Sequence, residues 1–106
     1  GTMIMCIPNE GSIDGLRDDD VVEITCDVDK NGCTPHKIGK ADEQNLELIR
    51  RVKNYERLSS KAIRQRSRSA AIQALTLHPL VNSYSIAVKL VDEYIEHNKN
   101  YCDGWK

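Results

Sequence analysis

The dipeptide Asn31-Gly32 sits between a β-branched run, Val21-Val22-Glu23-Ile24-Thr25-Cys26, and a segment that carries Pro35. Asn-Gly is a strong hairpin signal, because both residues tolerate the positive φ that tight two-residue turns demand. The spacing predicts a strand over 21–26 and a return arm over 33–38. That return arm should be an edge strand or merely extended, since proline removes a ladder N–H. Upstream, residues 4–7 are an apolar run closed by Pro8, which predicts a short buried strand. Residues 9–20 are rich in Gly, Ser and Asp and are expected to form a loop.

After Gly39 the strand pattern stops. From Asp42 to about Arg66 the apolar positions Leu46, Ile49, Val52, Leu58, Ala62 and Ile63 recur at helical spacing, with Asp42 as the expected N-cap. Ser67 or Ser69 should cap a second helix that turns Ala71, Ile72, Leu75 and Leu77 inward, and Pro79 ends it. Asn82-Ser83 then opens a third helix, whose expected buried stripe is Ile86, Leu90, Tyr94 and Ile95. Strands first and helices after predict an α+β fold: short strands with a hairpin, followed by about three helices. At 106 residues the chain has the length of one domain with one core. Residues 1–3 read as a cloning remnant, and 4–106 as the domain proper.

Charge and composition exclude several function classes. Fifteen Lys and Arg stand against 16 Asp and Glu, a net of −1, whereas a general polyanion binder needs a basic excess. Nucleic acid is therefore not an expected partner. No apolar run approaches the length of a membrane span, and no secretory leader pattern is present. Four cysteines (Cys6, Cys26, Cys33 and Cys102) lie at irregular spacing, and no Asn-x-Ser/Thr acceptor occurs. Free thiols in a reducing cytoplasm are the expectation.

Several constellations resemble sites. Asp27-x-Asp29-x-Asn31-Gly32 copies the start of a calcium-binding loop, but the twelfth position, which must supply a bidentate acid, is Ile38. Turn chemistry is the better reading. Cys33-x-x-His36 has zinc-ligand spacing, with Cys26, His78 or His97 as the residues that would complete a tetrahedron, yet no second paired motif exists. His78 before Pro79 is expected to satisfy a carbonyl at a helix end, and His97 to sit solvated at a helix C-terminus. The cluster Arg64-Gln65-Arg66-Ser67-Arg68-Ser69, with Arg57 and Lys61, reads as a solvated helix end. Asp18, Asp19 and Asp20 read as a charged loop rather than paired catalytic carboxylates. No Ser/His/Asp or Cys/His nucleophile arrangement and no glycine-rich phosphate loop appears.

One pattern is more specific. Asn9-x-Gly11-x-Ile13-x-x-Leu16-x-x-Asp19-x-Val21-Val22-Glu23, followed by Asp29-Lys30-Asn31-Gly32, resembles the C-terminal part of glycoside hydrolase family 4. Tyr55-Glu56-Arg57-Leu58, the segment 70–75, His78-Pro79-Leu80-Val81 and Asp92-Glu93 resemble that family's closing helices, and the His-Pro-Leu-Val form is similar to its 6-phospho-β-glucosidase branch. The family usually carries Leu-Pro where this chain has Leu16-Arg17, and often Gly-Asp where this chain has Arg66-Ser67-Arg68-Ser69.

The resemblance implies the C-terminal part of a lactate-dehydrogenase-like second domain, whose strands extend a mixed sheet and whose helices back a sugar cleft. It implies a parent that hydrolyses phosphorylated disaccharides with NAD and a divalent metal, typically manganese, outside the usual two-carboxylate scheme. Hydride passes from sugar C3 to NAD, a tyrosine removes the C2 proton, and the C1 group is eliminated. The family's NAD loop, metal-binding Cys and His and tyrosine base all lie upstream of the Asn-x-Gly segment. No cofactor, metal or catalytic role therefore falls to Cys26, Cys33, His36, Tyr55 or Tyr84. Asn9 and Gly11 are the candidate cleft-lining residues. The implied partners are an N-terminal catalytic domain and a second copy of the chain. The alternative is a free-standing, non-catalytic interaction module.

Overall fold

The computed structural model describes all 106 residues, in the order β1 (Thr2–Pro8), β2 (Val21–Asp29), β3 (Gly32–Pro35), α1 (Glu43–Gln65), α2 (Arg68–Leu77) and α3 (Tyr84–His97). The fold is α+β, as the order of patterns predicted. The chain divides into two compact units, Gly1–Leu46 and Glu47–Lys106, with the boundary inside α1. Each has its own apolar cluster, which corrects the expectation of a single core.

In the first unit β2 is the central strand of an antiparallel sheet ordered β1-β2-β3. Met3, Met5 and Ile7 stand opposite Cys26, Ile24 and Val22, so one face collects the apolar positions of both strands. Val22, Ile24 and Cys26 are buried there, and Ile13 and Leu16 of the 9–20 loop pack on them with Met5, Ile7 and Val28. Loop and sheet thus share a small apolar core.

β1 is an edge strand, which corrects the expectation of a buried one: Ile4 is 65% exposed. Gly1 and Val28 exchange both backbone bonds (2.7 and 2.8 Å), and at the other end Asn9 N–H donates to the Asp20 carbonyl (2.7 Å). This phase directs the polar groups of Met3, Met5 and Ile7 to β2 and those of Ile4 and Cys6 to the open side.

The β2–β3 hairpin forms where Asn-Gly predicted it, with the turn shifted back by one residue. Asp29 pairs with Gly32, so Lys30 and Asn31 are the turn residues, and Asp29 Oδ1 accepts from the Asn31 N–H (2.7 Å). Only Gly32 takes positive φ (129°), the conformation an L side chain resists.

In the second unit α1 ends in a Schellman motif. Ser67 N–H donates to the Ala62 carbonyl and Arg66 N–H to that of Ile63, with Arg66 in the left-handed region at φ 48°. Ser67 then caps α2 by accepting from the Ala70 N–H (3.2 Å), and Ser83 caps α3 from the Ile86 N–H (3.4 Å). α2 and α3 share the cluster Ile72, Ala87 and Val91, with Ala71, Leu75, Val88 and Ile95 beside it.

The expected inward residues Ala71, Ile72 and Leu75 of α2 and Ile95 of α3 do pack in the cluster, but the rest of the α3 stripe is displaced by one row. On α3 the packed row is Ala87, Val91 and Ile95, while Ile86 and Tyr94 are exposed (50% and 62%) and Leu90 is half-buried. Alanines on both helices let the backbones approach along that row, and the larger neighbours stay outside. Ile63 and Leu77, also expected inward, are exposed, and Ala62 is the one buried residue of α1.

Arg66 is a non-glycine residue at a position that favours glycine. Arg66→Val should lower stability by about 1–2 kcal/mol, because a β-branched side chain resists the left-handed region. Arg66→Gly should not lower it by a comparable amount. Urea midpoints of the two variants check this.

Candidate functional site

The 9–20 loop carries both candidate cleft residues, and it is built around one side chain. Asn9 is fully buried, its Nδ2 donating to the carbonyls of Ile13 (3.1 Å) and Leu16 (3.4 Å) while its Oδ1 accepts from the Ile13 N–H (2.8 Å). An amide fits because one group must both donate and accept across a loop that leaves carbonyls pointing inward. Glu10 and Gly11 form the tip, with consecutive positive φ values of 42° and 80°, and Gly11 has open space around it. The Ser12 carbonyl accepts from the N–H groups of Ile38 (2.8 Å) and Gly39 (3.1 Å), tying the segment after β3 to the loop. Asp20, also buried, accepts the Arg17 N–H at Oδ2 (3.0 Å). It is therefore committed to the loop, while Asp18 and Asp19 are exposed.

The Cys33-x-x-His36 spacing does not converge. Residues three apart on a strand point to opposite faces. Cys33 pairs with Val28 on the face of the apolar cluster, whereas His36 reaches Asp27 on the other, with Nε2 3.0 Å from Oδ2. His36 first, then the Thr2 hydroxyl (3.0 Å), holds the Asp27 carboxyl below its ordinary 3.8. Burial above all, then the neighbouring Cys33 thiol, pushes the Cys26 thiol up to about 11. All four cysteines are free, and no group of three His, Cys, Asp or Glu side chains converges.

The remaining candidates resolve into structural roles. Asp27 and Asp29 of the calcium-like pattern serve the sheet surface and the turn. Arg64 and Arg66 of the arginine cluster are exposed, as expected, and two of its members have partners: Arg68 forms a two-bond pair with Asp92 (2.6 and 2.9 Å), and Arg66 donates to the Asp103 carbonyl (3.1 Å). The His78 ring accepts the Leu80 N–H at Nδ1 (3.1 Å) instead of donating to a carbonyl, which corrects the expectation, and it stands edge-on to Tyr55 at 4.6 Å. His97 lies exposed in the last turn of α3, as expected, and Tyr84 is exposed. Arg51, which no sequence pattern singled out, donates to the Leu77 carbonyl (2.8 Å) and to Asn82 Oδ1, clamping the end of α2. A hollow of the second unit lined by Tyr55, Ala62, Leu75, Ile95 and Trp105 has no charged side chain on its walls.

This loop on a small antiparallel sheet has relatives among known proteins. Residues 1–81 match the sequence profile of the family 4 glycosyl hydrolase C-terminal domain. The chain belongs to that family. The 6-phospho-β-glucosidase BglT of Thermotoga maritima is 41% identical over 93 residues, 88% of this chain and 22% of the relative. The 6-phospho-β-glucosidase of Escherichia coli is 36% identical over 102 residues, 92% of this chain and 23% of the relative. Among solved structures, a 6-phospho-α-glucosidase from gut microorganisms, in complex with NAD and glucose-6-phosphate, superposes with a TM-score of 0.90 at 32% identity, covering all of this chain and 24% of its own. The Thermotoga maritima enzyme with manganese, NAD+ and glucose-6-phosphate gives 0.83 at 39% identity, covering 94% of this chain and 25% of its own. The family 4 chain therefore spans under a quarter of the length of the curated relatives it matches.

The family 4 chain has no convergent set of metal ligands. Cys26 and Cys33 lie on the face opposite His36, and no strand enters a helix through a glycine-rich turn. No helix is long and apolar enough to cross a membrane.

Two predictions follow from this geometry. Asn9→Ala should cost about 1–3 kcal/mol, because it leaves buried backbone groups unpaired, and should speed amide exchange at Ile13. Asp92 is held below its ordinary 3.8, first by the Arg68 hydrogen bonds. Its stabilising contribution is thus present above that value and is lost as pH falls through the lowered folded value. Asp92→Asn should flatten the acid limb of an unfolding profile followed by circular dichroism.

Proposed function

We propose that this chain is the C-terminal portion of an NAD- and divalent-metal-dependent 6-phospho-glycosidase acting on phosphorylated disaccharides by redox elimination, and that it is inactive by itself. The observation that carries the reading is a family match across residues 1–81 in a chain that spans only 22% of BglT. The 41% identity to BglT favours the β-glucoside branch. Phosphorylated sugars and free thiols favour the cytoplasm.

This chain's residues would then shape rather than react. Asn9 sets the loop through its amide, and the Glu10-Gly11 tip borders the sugar cleft. The open edge of β1, with Ile4 and Cys6 presenting unpaired backbone groups, is where a strand of the upstream portion pairs, since an exposed apolar edge invites a further strand. The outer row of α3, Ile86 and Tyr94, supports self-association.

Calorimetry with NAD and with manganese tests the reading. The isolated chain should give no saturable heat with either, and the longer polypeptide that carries it should bind both and hydrolyse a chromogenic 6-phospho-β-glucoside. Heat from the isolated chain would place the cofactor site here after all. A longer polypeptide that binds neither would favour the free-standing module.

A further inference from the structure

We propose that Cys33 and Cys26 form a thiol oxidation site, at which a hydroperoxide oxidises Cys33 and Cys26 closes a reversible disulfide across the β2–β3 hairpin. The strand register brings them together. Val28 pairs with Cys33 and Cys26 with Pro35, so the two cysteines are diagonal neighbours on the same face of adjacent antiparallel strands. After burial, the neighbouring Cys33 thiol is the next cause that raises the Cys26 thiol. Cys33 follows Gly32 at the mouth of the turn, on a short edge strand whose far side carries no partner strand. Diagonal neighbours ordinarily stand about 7–8 Å apart, so the disulfide, with its S–S bond of about 2.05 Å, requires the edge arm to move toward β2.

Exposure sets the order of events. Cys33 is exposed and meets the oxidant, whereas Cys26 is wholly buried in the apolar cluster with Val22 and Ile24, its thiol donating to the Ile24 carbonyl at 3.6 Å. Burial keeps Cys26 protonated at neutral pH, and a protonated thiol is a poor first nucleophile. Neither remaining cysteine competes. Cys6 pairs with Glu23 on the opposite face of the sheet, and Cys102 belongs to the second unit. The His36–Asp27 pair also lies on that opposite face.

The chemistry balances in two steps. The Cys33 sulfur attacks the peroxide O–O bond, giving Cys33 sulfenic acid and one water or alcohol. The Cys26 sulfur then attacks the Cys33 sulfur, forming the S–S bond, and the sulfenic oxygen leaves as water with the Cys26 proton. Two thiols are oxidised and one peroxide is reduced. The product ties the edge strand to the sheet, and it uses no group of the glycosidase reading.

The full 106-residue chain, treated with a few equivalents of hydrogen peroxide, alkylated and digested with trypsin, tests this. Trypsin cuts after Lys30, between the two cysteines, so the disulfide would join peptide 18–30 to peptide 31–37. The expected result is that two of the four thiols lose their alkylation, those two peptides appear linked, and dithiothreitol reverses both changes. Cys33→Ser, a change at an exposed residue, should leave Cys26 fully reduced under the same treatment. Advance of Cys33 to the sulfinic acid while Cys26 stays reduced would overturn the proposal. So would linkage to Cys6, to Cys102 or to Cys33 of a second chain.

Discussion

The ladder on β2 is the constraint on which the first unit depends. β2 is the only strand with neighbours on both sides, and its alternation of Val22, Ile24 and Cys26 against Val21, Glu23 and Thr25 decides which face is apolar. A slip of one residue would turn Ile24 and Cys26 to the polar side. The register is pinned at both ends, by the paired bonds of Gly1 and Val28 and by the Asn9–Asp20 bond where the loop closes. Asn9 therefore belongs to the ladder as much as to the loop. Its backbone ends the pairing, and its side chain folds the next seven residues onto the sheet, bringing Ile13 and Leu16 over the buried face.

Much of this was legible in the residues. Pro35 confined β3 to an edge, Ser67 and Ser83 marked helix starts, and Asn31-Gly32 marked the hairpin. What failed was the distinction between apolar and buried. Residues 4–7 read as a buried strand because their composition is apolar, yet burial depends on neighbours that composition does not report. The same holds for Ile86 and Tyr94 on α3, where the alanine row took the contact. Arg51 and Arg68 were unreadable for another reason: their partners lie 31 and 24 residues away in sequence. The shift of the turn to Lys30-Asn31 came from the Asp29 carboxylate capping the turn, which needs only one glycine at positive φ.

The exposed apolar residues fit the comparisons. An edge strand with Met3 and Ile4 in the open, and a helix with Ile86 and Tyr94 outside, are surfaces that a small domain ordinarily covers. The relative BglT is more than four times as long as the match, and one solved structure of the Thermotoga maritima enzyme holds manganese and NAD+. The candidate site is accordingly a shaped loop and an open edge. No three His, Cys, Asp or Glu side chains of the chain converge as a metal-ligand set.

The central claim is that this chain is a dependent part whose β1 edge is completed by the polypeptide upstream. Amide hydrogen exchange at Ile4 and Cys6, compared between the isolated chain and the longer protein that carries it, tests it most directly. The account predicts rapid exchange at both positions in the isolated chain and strong protection in the longer protein, with Met5 protected in each. Equal exchange at Ile4 and Cys6 in the two proteins would contradict it.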